Sequence, residues 1–84
     1  MSHLIYVLES LSDRTHYVGS TSKSIEERVA RHNLGEYRFT KGHRPWKAIY
    51  HEQVSSRSKA VKRERFLKSG IGRQELKQIL SKLS

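Results

Sequence analysis

Leu4 to Leu8 form the longest uninterrupted apolar run in this chain, and a second β-favouring stretch, Thr15 to Gly19, follows after the polar Ser10 to Arg14 region. Two extended segments separated by so short a polar stretch point to a hairpin. With its turn centred near Leu11 and Ser12, Tyr6 is expected opposite Tyr17, both side chains projecting from one sheet face within reach of each other.

The rest of the chain supplies helices and one more strand. Ser24 and Glu27 form a capping box and Gly35 is a natural stop, so Ile25 to Asn33 reads as a helix with Ile25 and Val29 on its buried stripe. Arg28 and His32 lie four apart beside that stripe, close enough to act on a shared ligand. Gly35 to Pro45 is the one long irregular segment, and Trp46 to Gln53 follows as a third strand. Ser55 to Ser58 cap a further helix that Gly70 ends. Gly72 opens the last one, whose Leu76, Ile79, Leu80 and Leu83 recur at helical packing intervals. The order ββαβαα predicts an α+β fold, an α/β sandwich with a three-stranded antiparallel sheet flanked by helices.

No internal repeat, linker or low-complexity tract divides the chain, so residues 1–84 are expected to form one domain. With 84 residues and 35% hydrophobic content, its core is small, burying about 60 to 65% of the surface the unfolded chain exposes. The absence of cysteine removes disulfides and thiolate metal sites from consideration. No apolar run approaches the roughly 18 residues of a membrane span, and a signal-peptide pattern is missing at the N-terminus. A cytoplasmic protein without membrane contact is expected. Seventeen Lys and Arg against eight Asp and Glu give a formal charge of +9, spread along the chain after Asp13. That balance favours a polyanionic partner, nucleic acid above all.

Glu64 stands out within the helix drawn through Ser58 to Ser69: it falls between Ala60, Val61 and Leu67, in the apolar stripe. A carboxylate there needs a cation, a metal or several donors. Two readings are open, a partly buried ion pair with a nearby Lys or Arg, and a metal ligand. The five histidines show no zinc-site spacing. Gly35 to Trp46 interleaves Tyr37, Phe39 and Trp46 with Arg38, Lys41 and Arg44, which suits stacking on unpaired bases and pairing with phosphates. Equally open is a role for those aromatics in closing the core while the cations face water. Lys59, Lys62, Arg63 and Arg65 read as a solvated helix face that attracts DNA without reading bases.

Taken in order, Leu4-Ile5-Tyr6, Tyr17-Val18-Gly19, the Arg28 and His32 pair, the stretch from His32 to Tyr37, and Lys62-Arg63-Glu64 resemble the GIY-YIG nuclease domain. The resemblance runs from about Leu4 to Leu83. Leu4 stands where the family name has Gly. No Asn follows Glu64, a position that many members fill, and Ser69 is a candidate for that supporting role.

The resemblance implies a metal-dependent DNA endonuclease with Tyr6, Tyr17, Arg28, His32 and Glu64 as site residues. Phosphodiester cleavage needs a deprotonated water, stabilised phosphoryl oxygens and help for the leaving oxygen. Arg28 suits the second task through its guanidinium fork; alternatively it is a surface cation or the partner of Glu27 or Glu64. Glu64 suits one Mg²⁺, with Mn²⁺ as a substitute, because such hard ions take oxygen ligands and keep several waters. Tyr6 and Tyr17 are implied to activate water or position the phosphate. A phenol titrating near about 10 is a poor base unless cations lower its pKa, and Arg28 and His32 are expected to supply part of that shift. His32 either relays a proton or holds the structure by hydrogen bonds.

Nucleic-acid contacts are expected from Arg28, Tyr37, Arg38, Lys41, Arg44, Lys62 and Arg63. No appended base-reading element is evident, so cleavage directed by DNA structure, weak specificity, or a protein partner that supplies specificity is expected. The alternatives are a non-catalytic nucleic-acid-binding module that keeps this fold and an RNA-binding accessory protein.

Overall fold

In the computed structural model, which describes residues 3–83, strand β1 (His3–Ser10) lies between β2 (His16–Thr21) and β3 (Trp46–Val54). Both pairings are antiparallel, so the sheet order is β2-β1-β3. Helices cover both faces of β1, and Ile5, Tyr6, Val7 and Leu8 retain no exposed surface. That is why the segment is apolar without alternation. Burying Ile5, Val7 and Leu8 contributes roughly 1.5–3 kcal/mol each.

The hairpin register differs from the expectation by two residues. Tyr6 pairs with Gly19, and Tyr17 lies opposite Leu8. The cause is a longer connection: Ser10 Oγ accepts hydrogen bonds from the Ser12 and Asp13 amides at 3.2 Å each, and the Ser10 amide donates to Thr15 O at 2.8 Å. Arg14 closes this loop at φ 67. A two-residue slip preserves the face of every side chain, so Tyr6 and Tyr17 remain neighbours, ring centroids 6.4 Å apart on the diagonal.

Helix α1 (Ile25–Asn33) begins where Ser24 Oγ accepts from the Glu27 amide at 3.1 Å. It ends at Leu34 and Gly35, whose φ of +83 calls for glycine. The loop that follows is more ordered than expected, because Arg38–Lys41 form one short helix, α2. Helix α3 (Arg57–Lys68) is capped by Ser56. Helix α4 (Gly70–Leu83) starts two residues before Gly72. Ser69 makes that start possible: its hydroxyl donates to Phe66 O at 2.6 Å and accepts from the Gly72 amide. It is therefore committed to the α3–α4 junction. Gly72 is required there, since an added Cβ would overlap the Phe66 carbonyl.

Alternation along β1 sends its side chains into two cores. Ile5 and Val7, with Val18, pack against Ala60, Leu67 and Leu76 of α3 and α4. Tyr6 and Leu8 pack with Trp46, Tyr17, Ile25 and Val29 on the α1 face. Arg63 ties α3 to its neighbours through Glu52 at 2.8 Å on both carboxylate oxygens and Glu75 at 2.8 Å. Among the described residues, no helix is long and apolar enough to cross a membrane.

Candidate active site

Tyr6 projects from the central strand into a space that glycine creates. An added Cβ at Gly19 would lie 2.5 Å from Tyr6 Oη and 3.0 Å from the Tyr17 ring, so the residue opposite Tyr6 must lack a side chain. The Tyr6 hydroxyl meets His32 Nε2 at 3.0 Å. On the other side of the imidazole, Nδ1 meets Thr40 Oγ1 at 2.8 Å, and the Thr40 hydroxyl also donates to Tyr37 O at 3.4 Å. Tyr6, His32 and Thr40 are all fully buried. They form a closed polar chain inside the α1-side core, with α1 supplying His32 and α2 supplying Thr40.

Burial decides the charge states here. The His32 imidazole is pushed down to about 4, by desolvation first and by the Arg28 charge second, so it is neutral at neutral pH. Burial raises the Tyr6 phenol above its ordinary value, outweighing the Arg28 guanidinium beside it. The Tyr17 phenol is raised too, by burial and then by the Glu64 carboxylate. This corrects the expectation that Arg28 and His32 bring the phenols down: Arg28 acts in that direction but is outweighed, and a neutral His32 contributes no charge.

Arg28 is bound neither to Glu27 nor to Glu64. Glu27 faces Arg31 at 3.7 Å, and the Arg28 guanidinium lies over the Tyr37 ring, 5.0 Å from its centroid. Its Nε is buried with no hydrogen-bond partner among the described residues. Tyr37 in turn packs on His32, ring centroids 4.4 Å apart. The guanidinium is therefore braced by aromatic contacts and keeps unused donors.

Glu64 arrives from the opposite face of the sheet. Its Oε1 accepts from Ser20 Oγ at 2.7 Å and its Oε2 from Lys68 Nζ at 2.9 Å, leaving the side chain 25% exposed. Ser20 and Tyr17 point to opposite faces of edge strand β2. The two halves of the cluster therefore meet around that edge, where Lys68 Nζ sits 5.3 Å from the Tyr17 ring centroid.

The aromatics of this loop divide between the core and the surface. Trp46 is buried and donates from Nε1 to Thr40 O at 2.8 Å, so it belongs to the core. Phe39 is 56% exposed, and Tyr37 is half-buried. Arg38, Lys41 and Arg44 are exposed on the same segment. Arg44 also donates to Lys41 O at 2.9 Å. Lys62 is exposed on α3, whereas Arg63 is held by two carboxylates.

Four residues of this cluster escaped sequence reasoning as site residues. Gly19 and Ser20 follow Tyr17 on its strand, on the same and the opposite face respectively, and Lys68 is one helical turn from Glu64; those spacings were available signals. Thr40 had none, because it meets His32 only through the fold of α2.

The two tyrosines, Arg28 and His32 on one side of the sheet and Glu64 on the other place this chain among domains that gather polar site residues around a hairpin edge. A family profile described as the GIY-YIG catalytic domain matches residues 2–77, and the chain belongs to that family, a nuclease fold family. It is 37% identical over 78 residues to a UPF0213 protein of Staphylococcus haemolyticus, covering 92% of this chain and 93% of that one. It is 41% identical over 78 residues to a UPF0213 protein of Syntrophus aciditrophicus, covering 90% and 86%. The solution NMR structure of a UPF0213 protein from Bacillus halodurans superposes with a TM-score of 0.56 at 26% identity, covering 94% of this chain and 85% of that one.

Proposed function

We propose that this protein is a metal-dependent DNA endonuclease that engages its substrate mainly through phosphates. The observation that carries the reading is Arg28, a guanidinium that among the described residues has no carboxylate partner and a buried, unsatisfied Nε, braced by Tyr37 beside the phenols of Tyr6 and Tyr17. Unused donors in a partly dry setting suit an incoming phosphoryl oxygen.

Arg28 binds and orients the scissile phosphate in this reading. Tyr17, half-buried at the edge of the sheet, positions the attacking water through its hydroxyl. Tyr6 is fully buried and acts through its bond to His32, fixing the wall against which Arg28 and Tyr17 are set. His32, neutral and hydrogen-bonded on both nitrogens, holds the Tyr6 hydroxyl in place. Glu64 and the Ser20 hydroxyl form an all-oxygen donor set, and among the described residues no cluster of three or more His, Asp or Glu offers a protein cage for a metal. Such a set fits one hard ion that keeps most of its waters, Mg²⁺ or Mn²⁺, with Glu64 as its protein ligand. When bound, that ion supplies positive charge to the phosphoryl and leaving oxygens.

Tyr37, Arg38, Lys41, Arg44 and Lys62 extend the phosphate-binding surface. Arg63 joins them only through whatever charge Glu52 and Glu75 leave unbalanced. Specificity comes from DNA structure or from a protein partner. The test is incubation with supercoiled plasmid, branched DNA and RNA in Mg²⁺, Mn²⁺ or EDTA, repeated with Tyr17→Phe and Arg28→Ala. Metal-dependent cleavage of DNA that falls by at least about 100-fold in each variant is expected. DNA binding without cleavage in any metal makes the protein a non-catalytic binding module instead.

A further inference from the structure

Beside the outer edge of β2, where Tyr17 and Lys68 meet, a groove of about 880 Å³ opens towards α4. Its floor is apolar, made by Val18, Leu67, Leu76 and Leu80. Phe39 stands at one wall, 56% exposed, with its ring 6.0 Å from that of Tyr17. Lys68, Arg73 and Lys77 supply the charge, and none of the lining side chains is acidic. Arg73 and Lys77 lie one helical turn apart on α4, both exposed. Neither makes an ion pair among the described residues, whereas Arg31, Arg63 and Lys68 all do.

We infer that this groove receives an unpaired DNA strand leaving the site at Tyr17, with a base stacked on Phe39 over the apolar floor and its phosphates on Lys68, Arg73 and Lys77. The inference rests on the nuclease reading for the identity of the substrate, and it extends that reading by naming where a single strand leaves the duplex. Charge complementarity selects this occupant. A second copy of this chain, at a net +9, would bring like charge to the three cations. A duplex offers phosphates but keeps its base faces stacked away from Phe39. A single strand offers both a polyanionic backbone and exposed π faces, the combination that sequence-tolerant single-strand sites use.

The test uses the full chain in EDTA, with fluorescence anisotropy of three probes of equal length: a labelled oligothymidylate, a blunt duplex and an abasic phosphate strand. Arg73→Gln with Lys77→Gln should flatten the slope of log K against log salt for the oligothymidylate by about 1.4, two single-strand phosphate contacts at about 0.7 each. The duplex slope should not move. Phe39→Ala should weaken oligothymidylate binding by about 10-fold and remove its advantage over the abasic strand, since that advantage is stacking. Amide resonances of β2 and α4 should shift on adding oligothymidylate to the unmodified protein, a readout that does not depend on any variant folding. Equal losses on duplex and single strand, an abasic strand that binds as well as oligothymidylate, shifts absent from α4, or self-association broken by the α4 variant would each overturn the inference. Cleavage is scored separately in Mg²⁺: groove binding without cleavage defeats the nuclease reading alone, and cleavage with an indifferent groove defeats this inference alone.

Discussion

His32 makes the stability of this protein depend on pH in a window of its own. Its folded imidazole titrates at about 4 against 6.5 in the unfolded chain, because burial and then the Arg28 charge oppose protonation. The unfolded chain therefore takes up the proton first as the pH falls. The stabilisation is whole above pH 6.5 and is lost progressively towards pH 4. Between pH 7 and pH 5 the two titrations differ by about 2 kcal/mol, which for a domain of this size lowers Tm by roughly 8–16 °C. The carboxyls of Glu9 and Glu52, also held below their ordinary value by His16 and Arg63, lose their contribution only below about 4.5, outside the window. Asp13, held below its ordinary value first by His43, behaves alike.

The assay compares thermal melts of wild type and His32→Gln at pH 7, 6 and 5. Gln supplies a donor and an acceptor towards Tyr6 and Thr40 without titrating, and the other four histidines are common to both proteins. The wild type should lose stability more steeply than the variant. Parallel pH dependence in the two proteins would refute the account of His32 as a buried neutral imidazole.

Glu64→Ala should abolish cleavage at a cost of about 1–2 kcal/mol in folding, because it removes a part-exposed i,i+4 pair with Lys68 of the kind worth about 0.3–0.5 kcal/mol and one hydrogen bond from the Ser20 hydroxyl, worth about 0.5–1.5 kcal/mol; a melt alongside plasmid nicking checks both halves, and a loss of several kcal/mol would return Glu64 to a structural role. Gly19→Ala should cost roughly 1–3 kcal/mol and most of the activity, since the new methyl meets the buried Tyr6 hydroxyl and forces an overpacked core to shift; a variant as stable and active as wild type contradicts the packing described. Duplex affinity should fall with salt at a slope of roughly −4 to −6 for about five to seven phosphates contacted, measured by anisotropy with duplexes of different sequence, and a flat response would mean that the positive charge serves something other than phosphates.

Local chemistry in the chain determined most of the elements. The unbroken apolar run from Leu4 to Leu8, the capping residues Ser24 and Ser56, and the helical spacing from Leu76 to Leu83 each act over a few residues, so their strand or helix can be read without knowing what packs on it. Ordered motifs likewise brought Tyr6, Tyr17, Arg28, His32 and Glu64 forward as a group. Register did not follow from the residues alone, because Ser10 sets the turn through bonds that include His43 O, 33 positions away. Nor did ionisation. Whether Arg28 lowers the Tyr6 phenol depends on how much water the core excludes, and desolvation won over the nearby charge. Thr40 entered the site, Trp46 entered the core, and Arg63 was claimed by Glu52 and Glu75 through contacts between segments distant in sequence. A side chain's partners, unlike its helical or strand preference, are decided only when the chain has closed around it.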